Sequence, residues 1–196
     1  MAELKTYWDR VSGEVHPLLA QGDYLPECLV PDIGPDFAPE GVAAGDVIDA
    51  KEAVDVRAYD LIIVTQSCDL ENKRAPLVAL CPIYGLREFE AKNASMKGKW
   101  NEVRKGKIEG LHLVSSFDKP SKPTECQVVN FREVYSLPVS YLERRATRLS
   151  ERWRLSSPFL EHFSQGFARF FMRVGLPSQL PEFSKQDLRL LGETAA

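Results

Sequence analysis

The sequence predicts an α+β domain: a small twisted β-barrel with an amphipathic helix at its N-terminus and a core helix closing it at the C-terminus. Two patterns carry that expectation. From Gly45 onward, short apolar and β-branched runs recur between turn-like stretches rich in Asp, Glu, Asn and Lys, which is how short strands read. Near the C-terminus, Phe159, Leu160, Phe163, Phe167, Phe170, Phe171 and Val174 fall within an arc of roughly 120° at helical spacing.

Composition agrees with a single core. The chain has 196 residues, 44% apolar and 27% charged, the range of ordinary globular domains. No apolar run approaches the ~18 residues of a membrane-spanning helix, so a cytoplasmic protein without membrane contact is expected. The four cysteines, Cys28, Cys68, Cys81 and Cys126, are widely separated. They read as reduced thiols, with Cys68, Cys81 and Cys126 in or beside apolar strand-like runs as small buried hydrophobes. The net charge of −3 conceals a split: residues 1–55 carry twelve acidic and three basic side chains, leaving sixteen and twenty-two for residues 56–196. Opposite signs suggest an acidic arm packing on a basic body, or a basic body that meets an acidic partner.

Taken in order, Leu4, Trp8, Val11, Val15 and Leu18 share one face of a helix over 4–19, which Gly22 ends. Prolines 26, 31, 35 and 39 make 26–45 an extended strap. Strands are expected at 46–50, 59–65, 76–83, 111–116 and 126–135, with Leu61-Ile62-Ile63-Val64 apolar on both faces and so central. Between the third and fourth lies a polar, lysine-rich excursion, 88–110, with a short helix at 96–104. Ser157 and Pro158 start the last helix, and Gly175 with Pro177 stops it. The organisation is therefore 1–42 helix and strap, 43–178 barrel with its closing helix, and 179–196 tail.

Three features bear on chemistry. The segment Thr65-Gln66-Ser67-Cys68-Asp69 leaves the central strand and is dense in hydrogen-bonding groups, as a nucleophile site or a capped turn would be. Cations interleave with tryptophan twice: Lys97, Lys99, Arg104 and Lys105 around Trp100, and Arg152 and Arg154 around Trp153. That pairing suits single-stranded nucleic acid, and equally a solvated surface helix. On the last helix His162, Arg169 and Arg173 share a stripe with Gly166, which could clamp a phosphate or face solvent. His112, between Leu111 and Leu113, reads as a structural strand position. No Gly-rich phosphate loop, paired-carboxylate site or metal motif is present, so no cofactor or metal is expected.

Gly45-Asp46-Val47-Ile48, Arg57 followed by Leu61-Ile62-Ile63-Val64, Val78 to Ile83, and Val128 to Leu137 occur in the order of the MazF/PemK family of toxin–antitoxin endoribonucleases, which the chain resembles over about residues 43–178. The resemblance implies an SH3-like barrel and, for activity, an arginine at Arg57 acting with a threonine or serine after the Pro-Ile strand. That second position is Tyr84. The expectation is therefore a non-catalytic MazF/PemK-like regulator or accessory factor of a bacterial stress or anti-phage operon (toxin–antitoxin or CRISPR-type). It would bind a protein partner or single-stranded RNA through Lys97, Lys99, Trp100, Arg104, Lys105, Arg152, Arg154, His162, Arg169 and Arg173. The alternative is a sequence-selective, metal-independent mRNA endoribonuclease using Arg57, Tyr84 and Ser67.

Overall fold

The computed structural model describes residues 6–12, 18–33, 43, 54–116, 126–149 and 151–172. Its centre is strand β3 (Val54–Ile63), which ends in Leu61, Ile62 and Ile63, followed by Val64, all buried. Successive strand residues face opposite sides. Leu61 and Ile63 enter one core cluster with Leu25, Leu80 and Leu142, while Ile62 and Val64 enter another with Ile83, Phe131 and Phe163. Burial on both faces is what an unalternating Leu-Ile-Ile-Val run demands.

The architecture is α+β: among the described residues, an eight-stranded, mainly antiparallel sheet with helices on it. The strands are β1 (Trp8–Ser12), β2 (Asp23–Ile33), β3, β4 (Leu77–Gly85), β5 (Leu111–Val114), β6 (Gln127–Asn130), β7 (Tyr135–Pro138) and β8 (Glu151–Leu155). Their order is β1-β8-β2-β3-β4-β6-β5, with β7 also paired to β4. Strand β4 changes partner midway, residues 77–80 pairing with β7 and 83–85 with β6. After β3 comes the short α1 (Ser67–Glu71). Helix α4 (Val139–Arg148) buries Leu142 and Ala146 on one face of the sheet, and α5 (Phe159–Phe171) buries Phe163 on the other. A third cluster of Tyr84, Phe89, Met96, Val103, Leu111 and Val128 lies under α2 (Leu86–Lys92), a 3₁₀ turn (Ala94–Met96) and α3 (Trp100–Arg104).

The sheet is not closed. Among the described residues its ends, β1 and β5, share no backbone ladder. Side chains span the gap: Tyr7 Oη donates to Leu113 O at 3.2 Å and Trp8 Nε1 to Ser115 O at 2.7 Å. Curvature thus brings the edges together without the register of a barrel.

Several expectations are corrected. The N-terminal helix is, over its described part, strand β1, because pairing with β8 from Trp8↔Leu155 to Ser12↔Glu151 satisfies the backbone. Gly13 and Pro17 in the same apolar pattern also disfavour a helix. The first part of the strap is strand β2. Pro26 sits at a bulge between Leu25 and Cys28, with Glu27 at φ 50°, and Pro31 lies where β2 has only β3 beside it. Proline is tolerated at such places. The single strand expected at 126–135 is two, β6 and β7, divided by a turn at Phe131-Arg132. Cys28 and Cys81 are buried, whereas Cys68 and Cys126 are exposed; burial pushes the Cys28 thiol up to about 11 and that of Cys81 to about 12. The strand at 46–50, the tail at 179–196 and Val174 lie outside the described residues.

The acidic first part of the chain does meet the basic remainder. Asp32 pairs with Arg57 at 2.9 Å and Glu27 with Arg145 at 3.1 Å. Asp23, fully buried, accepts from Arg152 Nε at 2.9 Å, Arg154 Nη2 at 3.0 Å and the Ala20 amide at 3.1 Å.

Of the aromatic stripe on α5, Phe163 is wholly buried, Phe159, Leu160, Phe167 and Phe170 are half-buried, and Phe171 is 54% exposed. Phe163→Ala should therefore cost about 3–5 kcal/mol and Phe171→Ala less than about 1 kcal/mol, read from urea unfolding. Equal losses would refute the orientation of the helix. Asp23→Ala strands a buried guanidinium and should cost about 3–5 kcal/mol. A near-neutral effect on the unfolding midpoint would show that Arg152 finds water.

Candidate functional site: an aromatic and basic cleft

A cleft of about 480 Å³ opens between the β5 edge, the chain around α3 and helix α5. Its size is that of a small-molecule pocket. Helix periodicity puts His162, Gln165, Gly166 and Arg169 on one stripe, and all four line it. Opposite them, Arg104 ends α3 and Lys105 follows it, both exposed. Basic side chains more than fifty residues apart in sequence thus share one opening. Glu109 is the carboxylate among them.

The walls are aromatic. The Tyr7 ring lies on that of Phe159, centroids 3.8 Å apart and planes 20° from parallel. Burial, and secondarily Cys126, pushes the Tyr7 phenol up to about 12, so it remains a donor to Leu113. Phe131 and Phe170 line the cleft as well.

His112 projects from β5 into the lining. Its ring stacks beside Phe131 at 5.8 Å and meets Phe163 edge-on at 5.7 Å. Burial, then the neighbouring His162, lowers its pKa from 6.5 to about 4, and the imidazole is neutral at physiological pH. Among the described residues its ring nitrogens find no hydrogen-bond partner. The close approach depends on Gly166: a Cβ there would lie 3.1 Å from His112 Nδ1. Glycine within a helix costs about 0.8–1 kcal/mol relative to alanine, so space for the imidazole outweighs helix propensity here. Gly110, at φ +81°, is more tightly confined, since a Cβ would come within 2.8 Å of Arg132 and Phe170.

Of the residues expected to bind, Arg104, Lys105, His162 and Arg169 come together in this cleft, and Lys97 and Lys99 are exposed on the same excursion. Trp100 is engaged elsewhere. Its Nε1 donates to Glu90 at 2.6 Å and its ring meets Phe89 at 5.9 Å, so its indole is half-buried in the third cluster. Arg152 is buried against Asp23, and Arg154 shares that carboxylate. Trp153 packs into the core beneath Arg10. The second cationic cluster around a tryptophan is therefore internal structure on strand β8. Arg173 lies outside the described residues.

Arg57, Tyr84 and Ser67 have three separate sets of partners. Arg57 pairs with Asp32, and Ser67 Oγ accepts from the Gln21 amide at 3.1 Å. Arg57 and Ser67 also lie toward opposite ends of β3; residues 57–63 alone span roughly 20 Å of strand. Tyr84 is buried and donates to Glu133 at 2.8 Å, a carboxylate also held by Asn130 at 2.7 Å. Burial, then that hydrogen bond, raises the Tyr84 pKa, which keeps the phenol protonated. Glu133 and the cleft residues Tyr7, His112 and Phe159 were not legible as site residues, because their partners are distant in sequence. Among the described residues no three His, Cys, Asp or Glu side chains could hold a metal ion, and no helix is long and apolar enough to cross a membrane.

No family model matches the chain, and no curated protein matches it in sequence.

His112 has a consequence for stability. Between pH 6.5 and about 4 the unfolded chain binds a proton at this position that the folded chain refuses, so stability is lost as pH falls through that window, by at most about 3 kcal/mol. In His112→Phe the unfolding free energy should decline less steeply over the same window. An unchanged slope would contradict the neutral imidazole.

Proposed function

We propose that this chain is a non-catalytic module that binds single-stranded RNA through the cleft. The observation that carries the reading is the convergence of Arg104, Lys105, His162 and Arg169 around aromatic walls. Cations meet phosphates and aromatic faces receive bases, and strand binding without sequence readout combines the two. Exposed Lys97, Lys99 and Lys107 extend the positive surface along the excursion.

Cleavage without a metal needs a group to take the 2′-hydroxyl proton, one to protonate the leaving oxygen, and a cation for the phosphate. Cations are available. His112, with a pKa of about 4, is a weak base and is not protonated near neutrality. Tyr84 is committed to Glu133. This supports binding and release over hydrolysis, and with it a regulator or accessory role of the kind implied by the MazF/PemK resemblance, whose SH3-like barrel remains part of the proposal.

A second reading, docking of a protein partner, is favoured by a separate observation. On the β2–β3 ribbon the register Leu29↔Ala58, Pro31↔Val56, Ile33↔Val54 puts six apolar residues on one face. Leu29, Ile33 and Val56 are 54–62% exposed, where a solvated sheet face would be polar.

The RNA reading is tested by fluorescence anisotropy with a labelled 12-nucleotide mixed-sequence RNA. Affinity should fall with salt at a log–log slope of about −0.7 per phosphate contacted. Arg104→Ala combined with Arg169→Ala should weaken binding by about tenfold and flatten the slope, and RNA incubated in chelator should be recovered intact. Unchanged affinity in the double variant would remove the cleft from the interface. Discrete fragments from wild type, absent with Arg57→Ala, would establish the endoribonuclease instead.

A further inference from the structure

We propose that the cleft accepts one unstacked nucleotide and that His112 reads the edge of its base, with Gly166 as the positioning residue that keeps the imidazole in place. The inference rests on the RNA-binding reading and names what that site selects. A volume of about 480 Å³ suits one small-molecule-sized unit, not a run of nucleotides. The phosphate belongs at the rim, where Arg104, Lys105 and Arg169 stand. The base belongs against the aromatic wall that Tyr7 and Phe159 begin.

Cations and rings alone do not tell one base from another. His112 is different in kind. It is a polar ring set among Phe131 and Phe163, and its nitrogens have no partner among the described residues. The residue is half-buried and its ring lines an open cleft, so its nitrogens are available to a ligand, and a neutral imidazole offers one donor and one acceptor. Those are the functions needed to pair with the N–H and ring-nitrogen or carbonyl edge of a nucleobase. Gly166 sets how closely the ring approaches the helix: with Nδ1 3.1 Å from where a Cβ would be, an alanine there requires the imidazole to give by a few tenths of an ångström. A site that rejects partners lacking the right polar group discriminates strongly, because a mismatched ligand leaves that group unpaired.

The experiment titrates the full chain with adenosine, guanosine, cytidine and uridine 5′-monophosphates and with ribose 5-phosphate, by isothermal titration calorimetry at low salt. The same preparations are tested with the 12-nucleotide RNA. We expect one or two of the nucleotides to bind at least about tenfold more tightly than the others and than ribose 5-phosphate. His112→Phe, which retains the ring, should bring the four within about threefold of one another while leaving ribose 5-phosphate affinity within about twofold. Gly166→Ala, which pushes the imidazole by a few tenths of an ångström, should narrow the preference by a smaller factor, and far-ultraviolet circular dichroism of both variants confirms that they are folded. RNA binding with no preference among the four monophosphates would overturn base reading and leave the RNA reading standing, as would a preference that survives His112→Phe. A preference that depends on His112, with no RNA bound, would leave the nucleotide site standing and overturn the RNA reading. Binding of neither overturns both.

Discussion

The buried carboxylate of Asp23 is the constraint on which the arrangement of the rest depends. It has no exposed surface and accepts from two arginines of β8 and from the amide of Ala20. The same guanidinium groups also donate to Leu18 O, at 2.7 Å from Arg152 and 3.1 Å from Arg154. One carboxylate therefore joins the loop before β2, the start of β2 and the whole of β8. Strand β1 pairs with β8, and α5 begins four residues after it. Since β1 follows Tyr7 and α5 brings Phe159, His162 and Arg169, one wall of the cleft is positioned by an ion cluster on the far side of β8. Arg152 is buried with Asp23 while Arg154 stays partly exposed, and the Leu18 carbonyl gives the buried guanidinium a second acceptor, without which its burial would be costlier.

Charge in this chain is distributed by segment, and the fold uses that distribution for assembly. Asp23, Glu27 and Asp32, all on β2, each meet arginines of different later elements: β8, α4 and β3. The exposed pairs among these contribute little individually. Their value is in register, since an arginine on each neighbour of β2 faces an acid at one position along it. Among the basic side chains outside this pairing, Arg104 and Lys105 at the end of α3 and Arg169 on α5 gather at the cleft.

How far the sequence discloses this varies with the range of the interaction. Leu61 to Val64 is apolar at every position, and only a strand covered on both faces accommodates it, so β3 was legible. So was the stripe of α5 carrying His162 and Arg169, because helix periodicity is a local property; the start lies one residue later than expected, with Pro158 at the N-cap and no side-chain cap from Ser157. Strand β2 was obscured by Pro26 and Pro31, since whether a proline falls on a bulge or a free edge is decided by neighbours the local pattern does not contain. Strand β8 was obscured for another reason. Glu-Arg-Trp-Arg-Leu has the composition of a nucleic-acid surface, and only the partner Asp23, well over a hundred residues away, turns it into core. The meeting of Arg104 with Arg169, and of Tyr84 with Glu133, is likewise tertiary.

Packing for stability alone does not account for the cleft. A glycine in the third turn of α5, an unpaired neutral imidazole among phenylalanines, and cations facing one another across an opening each oppose the local preference for alanine, for apolar side chains or for compensating charge. The sheet centre follows those preferences closely: Leu61 to Val64 are apolar and buried, the buried acid is bonded to two arginines and an amide, and the buried cysteines stay protonated because burial raises their pKa. That these exceptions meet in one concave place is what supports the binding proposal, since a ligand with a planar polar edge and a negative charge would answer the imidazole and the cations together.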